Sequence, residues 1–444
     1  MDVSGGYAMK TATATLCVSL IAAVSLSAAA QAPDEATITE AYVYLLGRAL
    51  VVRQEHTDRK EKDFAYNRIK YNPLGSADFV NPNFDVAYFE AWFAVDDKTA
   101  VILEVPKIEG RYYTAQILDE WGEVIANINE RTFPTKPYGT FLLVKPGSSV
   151  PTPPGAGRIE LHSSKAKMLG RVEIKDDPEG AVRLQKAFHA TVQGKPVVVP
   201  PPEITMFDND SLAGVELFDR SAAILTSALD VAPNAAQMQE KVRAVAAHVA
   251  SSKEARAGVD KLLRDKVAPD FKVYATTKVG EMRNGWLAPS AAGAYGSNYR
   301  ARTMVNLIGI WGNTTEEVLY FGAAHGPDGG PLDGGRSYVI HFPADSLPDT
   351  VVNAYWSVIL VGVPDYRVIP NPLKRYNFNN HSPLQKEADG SLKIGIGPNP
   401  VPGVPESNWL PSAVGKPFSL TFRTYVPKEV VKSKWAPPPL TPVN

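Results

Sequence analysis

Asn81-Pro-Asn-Phe-Asp-Val-Ala-Tyr88 and, further on, Gly110-Arg-Tyr-Tyr-Thr-Ala-Gln-Ile-Leu-Asp-Glu-Trp121 are the stretches that set the fold class of this chain. From Arg111 to Leu118 a period of two puts Arg111, Tyr113, Ala115 and Ile117 on one face, with Tyr112, Thr114, Gln116 and Leu118 on the other. That is the period of a β-strand, and both faces are mixed. Polar and aromatic residues recur where the pattern otherwise reads as buried strand, so the segment predicts a polar-lined concavity. On such a floor, rings stack against a ligand while amides and hydroxyls fix its orientation.

Around it, strand-like segments bounded by Gly, Pro and Asp are predicted at 87–95, 100–105, 124–128, 140–144 and 159–161. Before them, Thr37-Ile-Thr-Glu40 is a capping-box pattern, and a helix to about Arg53 is expected from it. The character changes at Asp177-Pro-Glu179, an N-cap followed by proline at the first helical position. Val215, Phe218, Ala222 and Leu225, then Met238, Val242, Val245 and Val249, are spaced three and four apart, as on amphipathic helices. Strands return at 318–321, 337–342, 355–360, 392–396 and 418–426. In the last of these, Phe418, Leu420 and Phe422 are expected to face a core, with Ser419, Thr421 and Arg423 facing water. The predicted fold is α+β and mainly β: an N-terminal β-rich domain over 31–176, a helical bridge over 177–300 and a C-terminal antiparallel sandwich, jelly-roll-like, over 301–444.

Met9-Lys10, an apolar run from Leu16 to Leu26 and the small residues Ala28 and Ala30 form the pattern of a cleaved export signal, residues 1–30, with Met9 as an alternative start. The run is well short of the roughly 20 residues of a spanning helix. A periplasmic or secreted chain is expected. The single cysteine, Cys17, lies in that leader, so the mature chain offers no disulfide, thiol nucleophile or thiolate metal site. Lys and Arg number 46 against 47 Asp and Glu, without a basic cluster, which argues against nucleic acid as a partner.

The first motif, with Gly110-Arg-Tyr-Tyr113, Gln116 and Asp119, resembles the domain of unknown function numbered 1254. Asn353-Ala-Tyr-Trp-Ser357, Asn371-Pro-Leu-Lys-Arg-Tyr376, Asp389-Gly-Ser-Leu392, Asn408-Trp-Leu-Pro411 and Pro417-Phe-Ser-Leu420 resemble its companion, numbered 1214. The resemblance implies β-rich domains joined by helices, often exported from bacteria, and no established activity. Asn377-Phe-Asn-Asn-His381 departs from the more charged, glycine-containing turn that the resemblance implies there.

Three functional readings fit these residues. Favoured is binding of a small polar or amphipathic ligand through Tyr88, Arg111, Tyr113, Gln116 and Trp121, oriented by Asp85 and Asp119. In that reading Arg111 gives bidentate bonds to a ligand; otherwise it pairs internally with Asp85, Asp119 or Glu120. The second is a hydrolase in which Asp85 acts with Asp119 or Glu90 as paired carboxylates. The third is a structural module whose polar motifs hold the two halves together. Seven histidines never cluster, and the Gly-Asp loop from His325 to Arg336 lacks the ligand spacing of a calcium loop, so it is expected to be a hairpin turn joining 318–321 to 337–342. No metal is expected. No phosphate-cradling glycine loop is present, and no cofactor is expected.

Overall fold

The computed structural model describes Met1 and residues 32–75, 81–277, 280–289 and 291–443; the expected leader falls almost wholly outside the described residues. Helix α1 spans Glu35–Asp58, capped by the Asp34 carboxylate, which accepts a hydrogen bond from Thr37 N at 2.8 Å. The cap lies three residues before the Thr37–Glu40 box because Asp34 is an equally good acceptor and reaches the same free donors. From Ala41 to Val52 α1 is buried on every side, Arg48 included. A helix buried all round needs no amphipathic stripe, but its one charge must be met.

Nine strands and one helix come next: β1 Lys70–Tyr71, β2 Val86–Ala94, β3 Ala100–Val105, β4 Tyr113–Leu118, β5 Val124–Ile128, β6 Gly139–Val144, β7 Gly157–Glu160, β8 Lys165–Glu173, then α2 Pro178–Lys186 and β9 His189–Gln193. They build two sheets, in the orders β1-β2-β8-β4-β5 and β7-β6-β3-β9. Phe89, Phe93, Tyr113, Ile117 and Met168 of the first sheet meet Leu103, Phe141 and Leu143 of the second in one apolar core. Gly170, in the middle of β8, lies directly under the Phe89 ring, where an added Cβ would sit 2.0 Å from it. Only glycine fits there.

The middle of the chain is helical: α3 Glu216–Asp219, α4 Ser221–Thr226, α5 Ala235–Ser251, α6 Lys253–Leu262, a π-helical turn Leu263–Val267, α7 Ala268–Thr277 and, after the short hairpin of β10 Gly280–Arg283 and β11 Trp286–Pro289, α8 Tyr299–Ile308. The expected Met238, Val242, Val245 and Val249 stripe is buried against α1. Asn284 and Gly285 both take positive φ at the hairpin turn, as a two-residue primed turn requires.

The C-terminal part is a second sandwich. Its strands are β12 Val318–Ala323, β13 Ser337–Phe342, β14 Trp356–Gly362, β15 Asn377–Asn379, β16 Leu392–Gly397, β17 Trp409–Pro411, β18 Phe418–Tyr425 and β19 Leu440–Val443, with α9 Glu429–Ser433 before the last. The sheets run β10-β11-β12-β18-β14-β15 and β17-β16-β13-β19, and Phe321, Trp356, Phe418 and Phe422 pack on Tyr338, Phe342 and Ile394 between them. Antiparallel sheets at both ends with helices between them give the α+β class that the alternation predicts. The 325–336 loop, however, is no hairpin between paired strands, because β12 and β13 belong to different sheets. The chain crosses from one layer to the other there, so the loop is a crossover. Among the described residues no helix is long and apolar enough to cross a membrane.

The outer faces of these sheets are not all left to solvent. Thr421 and Arg423 of β18 do not face water as the alternation suggests; the whole strand is buried, Arg423 to 2% exposure. Their face is covered by the N-terminal sandwich. Tyr112 and Val86 pack against Val318, Tyr355 and Tyr425 of the C-terminal sheet, with the Tyr112 ring 5.1 Å from that of Tyr425. Two sheets thus oppose each other through mixed polar and aromatic faces.

Candidate functional site

Residues of the first motif stitch the two sheets together. Asn81 Nδ2 donates to Thr421 Oγ1 at 3.0 Å, and Asn83 Nδ2 to the Tyr425 hydroxyl oxygen at 2.7 Å. Asp85, 3% exposed, accepts at Oδ1 from Asn377 and Asn379, both at 2.8 Å. Burial raises the Asp85 carboxyl above the ordinary range, opposed by its amide, Ser357 and Arg423 neighbours. The 377–381 segment therefore supplies amides that carry no charge yet hold a carboxylate in place. His381 completes the clasp, its Nε2 lying 3.0 Å from Glu173 Oε1.

Beside this clasp the opposed faces do not close. Leu169 is the midpoint of β8, the middle strand of its sheet, with both faces covered, yet it is part-exposed, as are Tyr88 and Glu90 on the adjacent β2. Glu90 is the direct cross-strand partner of Leu169, and Tyr88 that of Arg171. Tyr320, on the opposing sheet, is part-exposed too. Solvent reaches the centre of the sheet, so these side chains line a crevice with Leu169 as its floor. Trp311 packs on the Leu169 side, edge-on to Trp92 at 5.5 Å.

Arg171 governs the electrostatics of the crevice. Its guanidinium lies 5.5 Å from the Tyr88 ring centre, and Nη1 donates to Gln116 Oε1 at 2.6 Å. Burial works against its charge, and the rings around it belong to tyrosines, of which Tyr112, Tyr320 and Tyr425 are held neutral by their own burial. At the other end, burial of Glu90 is outweighed by Lys167 and Lys70, which bring its carboxyl down to about 2. Lys167 bridges Glu90 at 2.7 Å and Asp58 at 3.0 Å. The acidic end is neutralised within the protein.

The expected site residues do not share one place. Tyr88 is on the crevice; Gln116 is fully buried behind Arg171, its Oε1 accepting from Arg171 Nη1 and its Nε2 donating to Gly312 O at 2.9 Å, and Asp85 is in the clasp. Tyr113 is on the opposite face, its ring in the sandwich core and its hydroxyl donating to Pro137 O at 2.8 Å. Arg111 pairs with none of Asp85, Asp119 or Glu120: Nη2 bonds Asp177 Oδ2 at 2.9 Å, the carboxylate that caps α2, and Nη1 bonds Glu173 O at 3.0 Å. Asp119 and Trp121 are at the far end of β4. Because β8 runs antiparallel to both β2 and β4, Asp85 and Asp119 are separated by roughly 25 Å of strand. Asp85 and Glu90 are five residues apart on one strand, roughly 17 Å. Carboxylates that share a glycosidic bond are about 5–10 Å apart, so neither pair has that geometry.

Asp119 is instead an acceptor for its own turn, taking Trp121 N and Glu123 N at Oδ1, with His162 Nδ1 2.7 Å from Oδ2. Trp121 donates to Ala228 O and carries the Arg302 guanidinium 4.8 Å from its ring. Burial, with Asp119 and Asp230 nearby, pushes the Glu123 carboxyl up to about 7 despite Tyr295 N and Arg302. The Asp119 hydrogen bond raises His162 as well. Between Glu123's ordinary 4.5 and its folded value, the folded chain holds a proton that the unfolded chain has released, so stability falls as pH rises through that window. The His162 contribution has the same sign, full below 6.5 and lost as pH passes its folded value. Glu123→Gln should remove a loss on the order of 1–3 kcal/mol between about pH 5 and about pH 8, read as the pH dependence of urea midpoints. An unchanged slope would contradict this.

Two shallow depressions lie elsewhere, about 430 Å³ beside Asp97, Lys98 and Gly194 and about 410 Å³ beside Ser163, Ser227 and Leu229. Neither is lined by a buried charge that lacks a counter-ion. Among the described residues, no group of three or more His, Cys, Asp and Glu is placed to hold a metal ion.

Residues 62–192 match the family model described as protein of unknown function DUF1254, and residues 317–429 match that of protein of unknown function DUF1214. The chain belongs to the family that pairs these two domains. The DUF1254 match contains the clasp motif and the crevice floor, and the DUF1214 match contains Tyr320, Tyr355, Asn377 and Arg423. The VPA0106 protein of Vibrio parahaemolyticus is similar in structure, with a TM-score of 0.67 and 20% identity over 92% of this chain and 100% of its own, and so shares the fold. An uncharacterised protein of Burkholderia cenocepacia aligns at a TM-score of 0.44 and 12% identity over 91% and 88% of the two chains. No curated protein matches.

Sequence reasoning missed Leu169, Arg171 and Tyr320. Lys165, Lys167, Arg171 and Glu173 alternate with Ala166, Met168, Gly170 and Val172, a period-two signal that identifies β8 once charged residues are allowed on a covered face.

Proposed function

We propose that this DUF1254–DUF1214 chain binds a small polar organic molecule in the crevice between the two opposed sheets, and that it does so outside the cytoplasm, as the leader pattern implies. The observation that carries the reading is the residual exposure of Leu169 on the middle strand of a sheet covered on both faces, beside part-exposed Tyr88 and Glu90 on the next strand. Packing densities in protein interiors leave few such openings without a use, and ligand sites favour the junctions between domains. Tyr88 and Arg171 supply the contacts, with Gln116 holding Arg171 from behind; Asp85 acts through Asn377 and Asn379 to hold the walls at their spacing.

Leu169→Trp fills the crevice from its floor. A thermal-shift panel of sugars, amino acids, organic acids, amines and lipid-like acids should give the unmodified chain at least one ligand-dependent rise in melting temperature, and the variant none. A ligand at a hundredfold excess over its Kd stabilises by about 2.7 kcal/mol, well above the error of such a scan. A panel that shifts neither protein, or shifts both alike, would overturn the proposal.

A further inference from the structure

The arginines buried among the sheets and α1 differ in their counter-ions. Arg48 has Glu120 at 3.2 Å, Arg131 has Glu317 and Arg302 has Asp230. Arg423 has no carboxylate within 4.0 Å among the described residues, but its Nη2 is held by Asn81 O and Pro82 O, and it acts on the nearby Asp85. Arg171 has no carboxylate within that distance among the described residues. Its one hydrogen bond goes from Nη1 to the Gln116 amide oxygen, a neutral acceptor.

The two nitrogens it leaves over are informative. Nε is buried without a hydrogen-bond partner, and Nη2 makes no hydrogen bond among the described residues. In a guanidinium, Nε–H and one Nη2–H point the same way and form the side-on fork that accepts the two oxygens of a carboxylate. The same protein shows this fork filled: Arg131 donates from Nε to Glu317 Oε1 at 3.0 Å and from Nη2 to Glu317 Oε2 at 2.8 Å. Leaving a buried charge and its donors without partners is costly, so an empty fork beside a solvent-reached crevice calls for an acceptor from outside the chain.

We infer that the ligand is an organic carboxylate, bound side-on by Nε and Nη2 of Arg171 as Glu317 is bound by Arg131, with its body lying over Leu169 between Tyr88 and Tyr320. This rests on the binding role of the crevice and narrows it. Leu169, Tyr88 and Tyr320 offer apolar and aromatic surface that suits a carboxylate attached to a ring or chain better than a free inorganic anion. Glu90, neutralised by Lys167, offers no second free charge, so one anionic group is what the site asks for.

The test is calorimetric titration of the mature chain with benzoate, octanoate and acetate, each paired with its neutral amide, and with inorganic phosphate. At least one of the organic acids should bind at least tenfold tighter than its amide. Arg171→Gln should abolish that preference, and Arg171→Lys, which keeps the charge without the fork, should weaken the acid at least tenfold. Amides that bind as well as acids, with all binding lost in Leu169→Trp, would overturn the carboxylate while keeping the crevice. Phosphate binding without any carboxylate binding would overturn it as well. Binding that persists in Leu169→Trp, or no binding of any probe, would overturn both the class and the site.

Discussion

Asp230→Ala lowers the stability of the folded chain by about 3–5 kcal/mol, the cost of leaving a buried charge without its partner. Asp230 Oδ1 and Oδ2 accept from Arg302 Nη1 and Nη2 at 2.9 and 2.7 Å, and Oδ2 also accepts from the Tyr44 hydroxyl at 2.7 Å. Arg302 is 2% exposed at its side chain, with Trp121 under it. Its next carboxylate, Glu123, lies 3.6 Å away and is itself pushed towards neutrality, so it offers little substitute. Equilibrium urea unfolding reads the loss directly. A change below about 1 kcal/mol would mean that the guanidinium reaches water. The double variant with Arg302→Met should recover much of the loss, because the orphaned charge goes with its partner.

Glu317→Gln is the second large effect, and it acts between the two sandwiches. Glu317 stands at the head of β12, and all four of its donors come from the N-terminal sandwich: Arg131 Nε and Nη2, the Tyr112 hydroxyl at 3.0 Å and Asn129 Nδ2 at 3.1 Å. An amide in its place turns its NH2 towards donors and removes the charge. The expected loss is about 3 kcal/mol, at the lower end of the range because Arg131 is one quarter exposed. The loss should appear first as faster amide exchange along β12 and β4, where the sheets face each other, while the apolar cores within each sandwich keep their protection. Uniform loss of protection would show that the two halves unfold as one unit and that this pin has no local role.

How much of this was legible in the sequence depends on whether neighbours in space are neighbours along the chain. Strands whose inner faces are apolar, such as 100–105 and 337–342, announce themselves by alternation, as do the Met238 to Val249 stripe and the Asp177 cap. β8 does not, because Lys165, Lys167 and Arg171 look like a solvated segment until Glu55, Asp58, Glu90 and Gln116 are brought to them from other elements. Arg423 looked water-facing for the same reason, since its cover is the 81–85 segment, more than 300 residues away along the chain. Tyr88 and Gln116 carry the polar signal that the sequence offers on this face, Gln116 as an internal partner of Arg171. Tyr113 was not separable from them by residue type, although the period-two reading had put it on the other face. Arg171 could be recognised only by a lack, that of a carboxylate for its fork, and a lack becomes visible only when the surroundings are known.

The most direct test of the central claim is hydrogen–deuterium exchange of the mature chain with and without whichever compound of the panel raises its melting temperature most. Added protection should be confined to residues 86–94, 165–173 and 318–323, the strands that line the crevice, and should be lost in Leu169→Trp. Protection at the depression around Ser163, Ser227 and Leu229 instead, or no compound that stabilises the chain at all, would contradict it.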